Sequence, residues 1–389
     1  MIELASVLAG PSVGQFFAEL GAEVIKIENK KTRGDVTRKW LVNGEQPSGG
    51  LSAYFSSANW GKKSIALDLS SQSGKEIVHE LVGQTDILIS SYKVGDDIKL
   101  GVDYESIKKD NPKLIYGHIT GYGRENPRTG YDAIIQAEAG FMYMNGEPNG
   151  EPLKMPVALI DILAAHHLKE GLLLALLARA TTGKGDYVHV SLFDAALASL
   201  ANQAGNWLVA GNIPEKMGQE HPNIVPYGKV FNTVDDQKII LAVGTDEQFQ
   251  RLCEILGKSE IALDQKFSKN ERRVQNREAL NDILSLEISQ QQSHDFLSKL
   301  KQLSIPCGVI NRMDQVFALA QSKSMLNNAT DGSEKKGVRN LAFSLGKQNA
   351  ITNISPPPAY GQHTVEILSN ALNFTSEEIK NLKLSEVIE

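Results

Sequence analysis

Short apolar runs and amphipathic stretches alternate through the first half of the chain. "MIELASVL", "AEVIKIE", "KKSIALDL", "TDILISS" and "KLIYGHITG" have the length and β-branched content of buried strands. Between them, "GPSVGQFFAELG", "GKEIVHELVGQ" and "YESIKKDNP" read as helices, the first ending at Gly21. Strands alternating with helices predict a parallel sheet covered on both faces, with ligands gathering beyond the carboxyl ends of its strands. The fold class expected is α/β, with a Rossmann-like parallel-sheet large domain and a smaller α+β domain.

The rhythm changes at "PVALIDILAAHHLKEGLLLALLARATTGKG". Pro156 to Ile160 reads as a strand-like apolar run, Asp161 stands at its end, and a helix follows to about Ala180, stopped at Gly183 or Gly185. "DYVHVSL" is then a strand and "DAALASLANQAGNWLVAG" one more helix. From "HPNIVPYGKVFNTVDDQKIILAVG" onward, short β runs and polar helices predict a second domain over 225–320. The expected large domain is 1–200 with 325–389 returning to it, and 201–224 and 321–330 are linkers. "SKSMLNNATDGSEKKGVRN" reads as an irregular return.

Composition narrows the functions. Hydrophobic residues make up 41% of the 389 positions and charged residues 22%, ordinary for a folded soluble chain. A net charge of -6 offers no general attraction to nucleic acid or anionic membrane, so neither is an expected partner. The longest apolar run, Gly171 to Ala178, falls far short of the ~20 residues of a membrane span. The N-terminus lacks a basic region ahead of an apolar core, which predicts no signal peptide. Two cysteines, Cys253 and Cys307, build neither a disulfide framework nor a metal cluster, and a reducing, cytoplasmic setting fits.

Several motifs have bland readings. "AGPSVG" before a helix, with Glu28 ending the next strand, has the parts of a dinucleotide site but not the G-x-G-x-x-G spacing, and ordinary βα-turn geometry accounts for it. His166 and His167 lack the pairing of a metal motif, so no metal is expected. Cys307 in "IPCGV" has nothing beside it to lower its pKa, and no G-x-S-x-G elbow occurs. Asp161 has two readings. It suits a helix N-cap, and it also suits a nucleophile desolvated by small apolar neighbours at a strand end. One does not exclude the other.

The sequence resembles the class III CoA-transferases, the group of formyl-CoA and carnitine CoA-transferases, related to α-methylacyl-CoA racemase. The likeness is carried by "ELASVLAGPSVGQFFAELGAEVIKIE", "GDVTRKW", "KKSIALDL", "LGVDYESIKKDNPKLIYGHITGYG", "GYDAIIQAEAG", "ALIDILAAHHLKEGLLLALLARATTGKGDYVHVSLFDAAL", "HPNIVPYGKVF", "IPCGVI" and "PPPAYGQHT", in order over most of the chain. The resemblance implies CoA transfer from an acyl-CoA donor to a carboxylic acid acceptor, with coenzyme A as the only cofactor. Asp161 falls on the catalytic aspartate, which carries first an acyl anhydride and then a CoA thioester. Its ordinary pKa of about 3.9 would keep it ionised at neutral pH. The positions matching CoA contacts are Val7, Leu8, Ala9, Arg38, Leu67, Asp68, Ser91, Tyr92, Lys93, Lys99, Tyr131 and Asp132, with Trp40 beside Arg38. A homodimer of interlocked chains is implied as well.

The sequence departs from formyl-CoA transferase at Leu8, where that enzyme has a glutamine, and at Asn29, where it has a basic residue. Its run of four glycines is absent from "GQEHPNIVPYGK", a stretch closer to carnitine-type or succinyl-CoA-dependent relatives. The racemases pair the aspartate with a histidine. That position is Tyr131, a poor proton acceptor near pH 7 with its reference pKa of about 10. Transfer is therefore the expected reaction, with racemisation or CoA binding without catalysis as alternatives.

Overall fold

Six parallel strands form the main sheet: β1 (Ile2–Leu4), β2 (Val24–Asn29), β3 (Lys62–Leu67), β4 (Ile87–Ser90), β5 (Ile115–Thr120) and β6 (Asp186–Ser191). The computed structural model describes residues 1–47, 51–344, 346 and 353–389. The strands lie in the order β3-β2-β1-β4-β5-β6. The chain starts in the middle, runs outward to β3, then returns to lay β4 against the other side of β1. That reversal opens a crevice beyond the carboxyl ends of β1 and β4. The α/β class expected from the alternating pattern is the one observed.

Contacts divide the chain into two units, one of residues 1–140, 155–211 and 321–389 and a smaller one of 141–154 and 212–320. The core of the larger unit gathers Ile2, Leu4, Ile65, Leu67, Leu88 and Tyr116 from the sheet with Ile77, Leu81 and Leu368 from helices over it. In the smaller unit, β7 (Tyr227–Asn232), β8 (Lys238–Ala242) and β9 (Cys307–Val309) form an antiparallel sheet. Helices pack Phe249, Leu252, Leu280, Leu284 and Phe296 into its core. Among the described residues no helix is long and apolar enough to cross a membrane.

Three expectations need correction. The helix expected over "DAALASLANQAGNWLVAG" breaks into Leu192–Ala198 and Ala201–Leu208, because Ala201 adopts φ 48° and the Ser199 hydroxyl turns back onto the Ala195 carbonyl at 2.8 Å. The return after residue 325 is not irregular throughout. β10 (Leu326–Ala329) and β11 (Lys336–Val338) pair antiparallel around Asp331-Gly332, where Gly332 has φ 78°, and β12 (Asn353–Ile354) adds in parallel. Residues 345 and 347–352 of that return lie outside the described residues. Finally, Pro156 to Ile160 is not a strand, since the long helix spans Leu159–Thr182 and already includes Leu159 and Ile160.

The centre of the sheet is charged as well as apolar. Glu3 on β1 and Lys26 on β2 are almost fully buried and meet at 2.8 Å. Lys62 on β3, also buried, faces the second Glu3 oxygen at 2.7 Å and donates to the Pro11 carbonyl at 2.8 Å. Pro11 belongs to α1 (Ala9–Glu19), which crosses above this cluster. A Cβ on Gly14 would stand 1.9 Å from the Glu3 carboxylate. The second glycine of "AGPSVG" therefore lets α1 pack onto a buried charge.

Replacing Glu3 with alanine leaves the buried Lys62 ammonium without a carboxylate and Lys26 with Asp35 alone, so Glu3→Ala should destabilise the fold by ~3–5 kcal/mol. Urea unfolding followed by circular dichroism measures this; a loss under about 1 kcal/mol would mean that the cluster does not hold the sheet as described.

Candidate active site

A cavity of about 180 Å³ opens in the crevice at the strand ends. Its walls are Ser6 to Gly10 after β1, Ser91 to Val94 after β4, the end of β5 at Thr120 and Gly121, and the loop from Asn126 to Tyr131. Asp161 also lines it. The loop is pinched at its base. A Cβ on Gly121 or on Gly130 would stand 2.5 Å from the backbone of the other, so neither position admits a side chain. This pinch brings Arg128 and Tyr131 to the cavity.

Asp161 is the third residue of the long helix, and it does not cap it. The cap position is Ala158, without a side-chain bond. The carboxylate serving the first turn belongs to Asp132, whose Oδ1 accepts the Ile160 N–H at 2.7 Å while Oδ2 accepts Gln136 Nε2 at 2.6 Å. Gln136 in turn accepts the Met155 N–H at 2.9 Å. Asp161 is only 8% exposed and its carboxylate has no hydrogen-bond or ion-pair partner among the described residues. Burial first, and the nearby Asp132 second, push its pKa up to about 7. The expectation of full ionisation at neutral pH is thereby corrected, since a carboxylate without donors or cations has nothing to offset desolvation.

The turn between β1 and α1 forms the opposite wall. Val7 has φ 71°, a conformation that β-branched residues avoid at a cost of about 1–3 kcal/mol. Both Asp35 oxygens accept the Val7 N–H at 3.3 Å, Lys26 donates to the Ala5 carbonyl at 2.6 Å, and the Ser6 N–H reaches Ser91 Oγ at 3.2 Å. Past Val7, the N–H groups of Leu8, Ala9 and Gly10 begin α1 and have no acceptor among the described residues.

Apart from Asp132, which holds the first turn of the long helix, the residues matched to CoA contacts divide into two groups. Val7, Leu8, Ala9, Ser91, Tyr92, Lys93 and Tyr131 line the cavity with Asp161. Lys93 is exposed there, and its ammonium has no partner among the described residues. The rest lie elsewhere. Arg38 is buried against Glu28 with contacts of 2.8 and 2.6 Å and stacks 3.6 Å from the Phe55 ring centroid. The same pair occupies Glu28, which answers the ribose reading of that acid, and Trp40 packs on Tyr54 with ring centroids 5.0 Å apart. Leu67 is fully buried, and Asp68 pairs with Lys31 at 3.3 Å. Lys99 pairs with Asp96 at 3.0 Å. Cys307 sits half-buried with its thiol pushed up by burial, and His166 and His167 lie on the long helix, the latter 3.6 Å from Glu170.

Residues 1–364 match the family described as CoA-transferase family III. The chain belongs to that family. A succinate--glutarate CoA-transferase of Agrobacterium fabrum is 38% identical over 382 residues, covering 95% of this chain and 94% of its own. A mouse succinyl-CoA:glutarate CoA-transferase is 36% identical over all of this chain and 89% of its own. Among solved structures, a CAIB/BAIF family protein from Brucella suis shares 39% identity with a TM-score of 0.81, over 95% of this chain and 97% of that one.

Family III membership makes the chain an enzyme of CoA transfer. The cavity is also shaped by residues that the sequence did not single out. Asp35 and Lys26 hold the cavity turn, and Arg128 lines the cavity while its guanidinium is bound to Glu138 and stacks 4.4 Å from the Tyr122 ring centroid. A signal for Lys26 was present. A lysine in the middle of "VIKIE", with apolar neighbours on both sides, has to find a buried carboxylate if the strand is central.

The unpartnered Asp161 carboxyl predicts a pH signature. Its folded pKa of about 7 lies above the ordinary 3.8, so between those values the native state binds more protons than the unfolded one. Stability should fall as pH rises through that window, by ~4 kcal/mol at most. Unfolding free energies measured from pH 4.5 to 8 should show this slope in the wild type and lack it in Asp161→Asn; parallel curves would exclude the raised pKa.

Proposed function

We propose that this family III enzyme moves CoA from a short acyl-CoA, succinyl-CoA foremost, to a carboxylic acid such as glutarate, with Asp161 as the covalent carrier. The observation that carries the reading is a buried, partnerless carboxylate facing a cavity at the sheet's switch point. The donor and acceptor are supported by the activities for which the relatives above are named. A groove of about 340 Å³ shares Ser6, Ser91 and Tyr92 with the cavity and passes along Asn29, Thr32 and Lys39, offering CoA a path toward the thioester position.

In the proposed sequence, an Asp161 oxygen attacks the thioester carbonyl carbon. The C–S bond breaks, CoA leaves as thiolate, and an aspartyl anhydride remains. The thiolate then attacks the aspartyl carbonyl of that anhydride, releasing the donor acid and leaving CoA on Asp161 as a thioester. The acceptor carboxylate attacks this thioester, giving a second anhydride and free thiolate, and thiolate attack on its acyl carbonyl yields the new acyl-CoA and the original carboxylate. Each step passes through an oxyanion. The free N–H groups of Leu8, Ala9 and Gly10 are the donors proposed to meet it. A desolvated carboxylate with no bonds to break is a stronger nucleophile than one in water, and a pKa of about 7 leaves that form accessible near neutral pH. Tyr131, 58% exposed at the cavity, has the place of the second base in the racemases, and a phenol there in place of an imidazole favours transfer over proton exchange.

Incubation with acyl-CoA donors should let hydroxylamine convert Asp161 to a hydroxamate detectable by peptide mass, from a donor and acceptor panel that identifies the best pair. Asp161→Asn should abolish turnover while CoA still binds; full transfer by that variant would refute the reading. The rate kcat/KM should rise with pH through about 7 as the carboxyl ionises, and Asp132→Asn should move that midpoint to lower pH because one raising charge is gone. A pH profile flat from 5.5 to 8.5 would contradict Asp161 as nucleophile.

A further inference from the structure

Lys26 and Asp35 lie outside the walls of the Asp161 cavity yet grip the turn that forms one of them. Lys26 donates to the Ala5 carbonyl at 2.6 Å, the Asp35 carboxylate accepts the Val7 N–H at 3.3 Å, and the two side chains meet at 3.0 Å with 1% exposure each. The grips fall on either side of Ser6. Asp35 is itself held, since its N–H donates to Glu28 Oε2 at 2.9 Å and its Oδ1 accepts the Thr37 hydroxyl at 2.8 Å. Between the grips and α1 stands Val7 at φ 71°, which a valine adopts only where its surroundings impose it.

The geometry points to Asp35 and Lys26 as positioning residues for CoA transfer: together they hold Val7 in its left-handed conformation and so set the free N–H groups that open α1 against the Asp161 cavity. Loss of the clamp lets Val7 relax toward negative φ, and the chain after it turns with the peptide. An apolar pair at the same positions would fill the space but bond neither Ala5 nor Val7. The inference rests on the reading of Asp161 as the group that meets the thioester. It adds that the opposite wall is kept under strain by two buried charges that lie outside the Asp161 cavity, along the adjoining groove.

Glycine supplies the test, because it adopts φ near 70° without being held. On the best donor and acceptor pair of the panel, Asp35→Asn should lower kcat roughly tenfold or more with KM for acyl-CoA within about threefold, and in a V7G background the same substitution should cost less than about threefold. Equal losses in the two backgrounds, or a loss confined to KM, would overturn the clamp. If Asp35→Asn does not yield folded protein by circular dichroism, Thr37→Val takes its place. It weakens the hold on Asp35 alone and should lower kcat several-fold with valine at position 7 and less in the V7G background. An unchanged kcat with valine present would again refute the clamp. Asp161→Asn, assayed alongside, separates the two claims. An inactive Asp161→Asn with an unaffected Asp35→Asn removes the clamp and leaves the nucleophile. An active Asp161→Asn removes both.

Discussion

A lysine ammonium cut off from water holds together the part of this protein where chemistry is proposed. Lys26 stands on a central strand with Glu3 at 2.8 Å and Asp35 at 3.0 Å. Burial works against its charge, but Glu3, Asp35 and Glu28 outweigh that cost and keep its pKa above the ordinary value. Lys62 shares Glu3 with it, and burial, only partly offset, draws its ammonium down to about 8. Breaking such a cluster at one member leaves an uncompensated charge, whereas an apolar replacement of the whole would do as well or better for stability alone. What apolar residues cannot provide is direction. Lys26 and Asp35 bond a carbonyl and an N–H of the first βα turn, so the electrostatics of the sheet interior fix the backbone at its edge.

The acids on the other wall follow the opposite rule. Asp132 and Asp161 are neighbours, and both are buried. Asp132 is satisfied by the Ile160 N–H and by Gln136, whereas Asp161 has neither donor nor cation, and burial beside a second acid lifts its pKa to about 7. Two carboxyl groups of one type are thus separated by surroundings into a hydrogen-bonded acceptor and an unpartnered acid of raised pKa. Helix capping, the ordinary use of an aspartate in this position, is transferred to a residue from another element, and that leaves Asp161 available.

The strand order is that of dinucleotide-binding sheets, yet the features that would bind a dinucleotide are used internally. Gly14 makes room for Glu3, and Glu28 is committed to Arg38 and to the Ser64 hydroxyl at 2.6 Å. The same topology offers the same crevice, and the residues at its rim decide the ligand. Here they set an unpartnered carboxyl at the crevice of a chain that belongs to CoA-transferase family III.

Much of this was legible in the chain. The strand and helix alternation is a local signal, so β1 to β6 and the long helix could be read from apolar periodicity, and the family from motifs in order. Asp161 stood out because an acid inside an apolar stretch violates local patterning. Its neighbours were less readable: Ser91 and Tyr131 line the cavity, while Arg38, Leu67, Asp68 and Lys99 lie apart from it. The Asp331-Gly332 hairpin carried a local signal in its turn dipeptide, but its strands are short and polar. Sequence by itself determined the order of elements and the family, and it singled out Asp161, because these depend on residue type and spacing along one strand or helix. Tertiary structure decided which acid caps and which stays free, and which buried charges hold Val7, because desolvation and pairing depend on what surrounds a group in space.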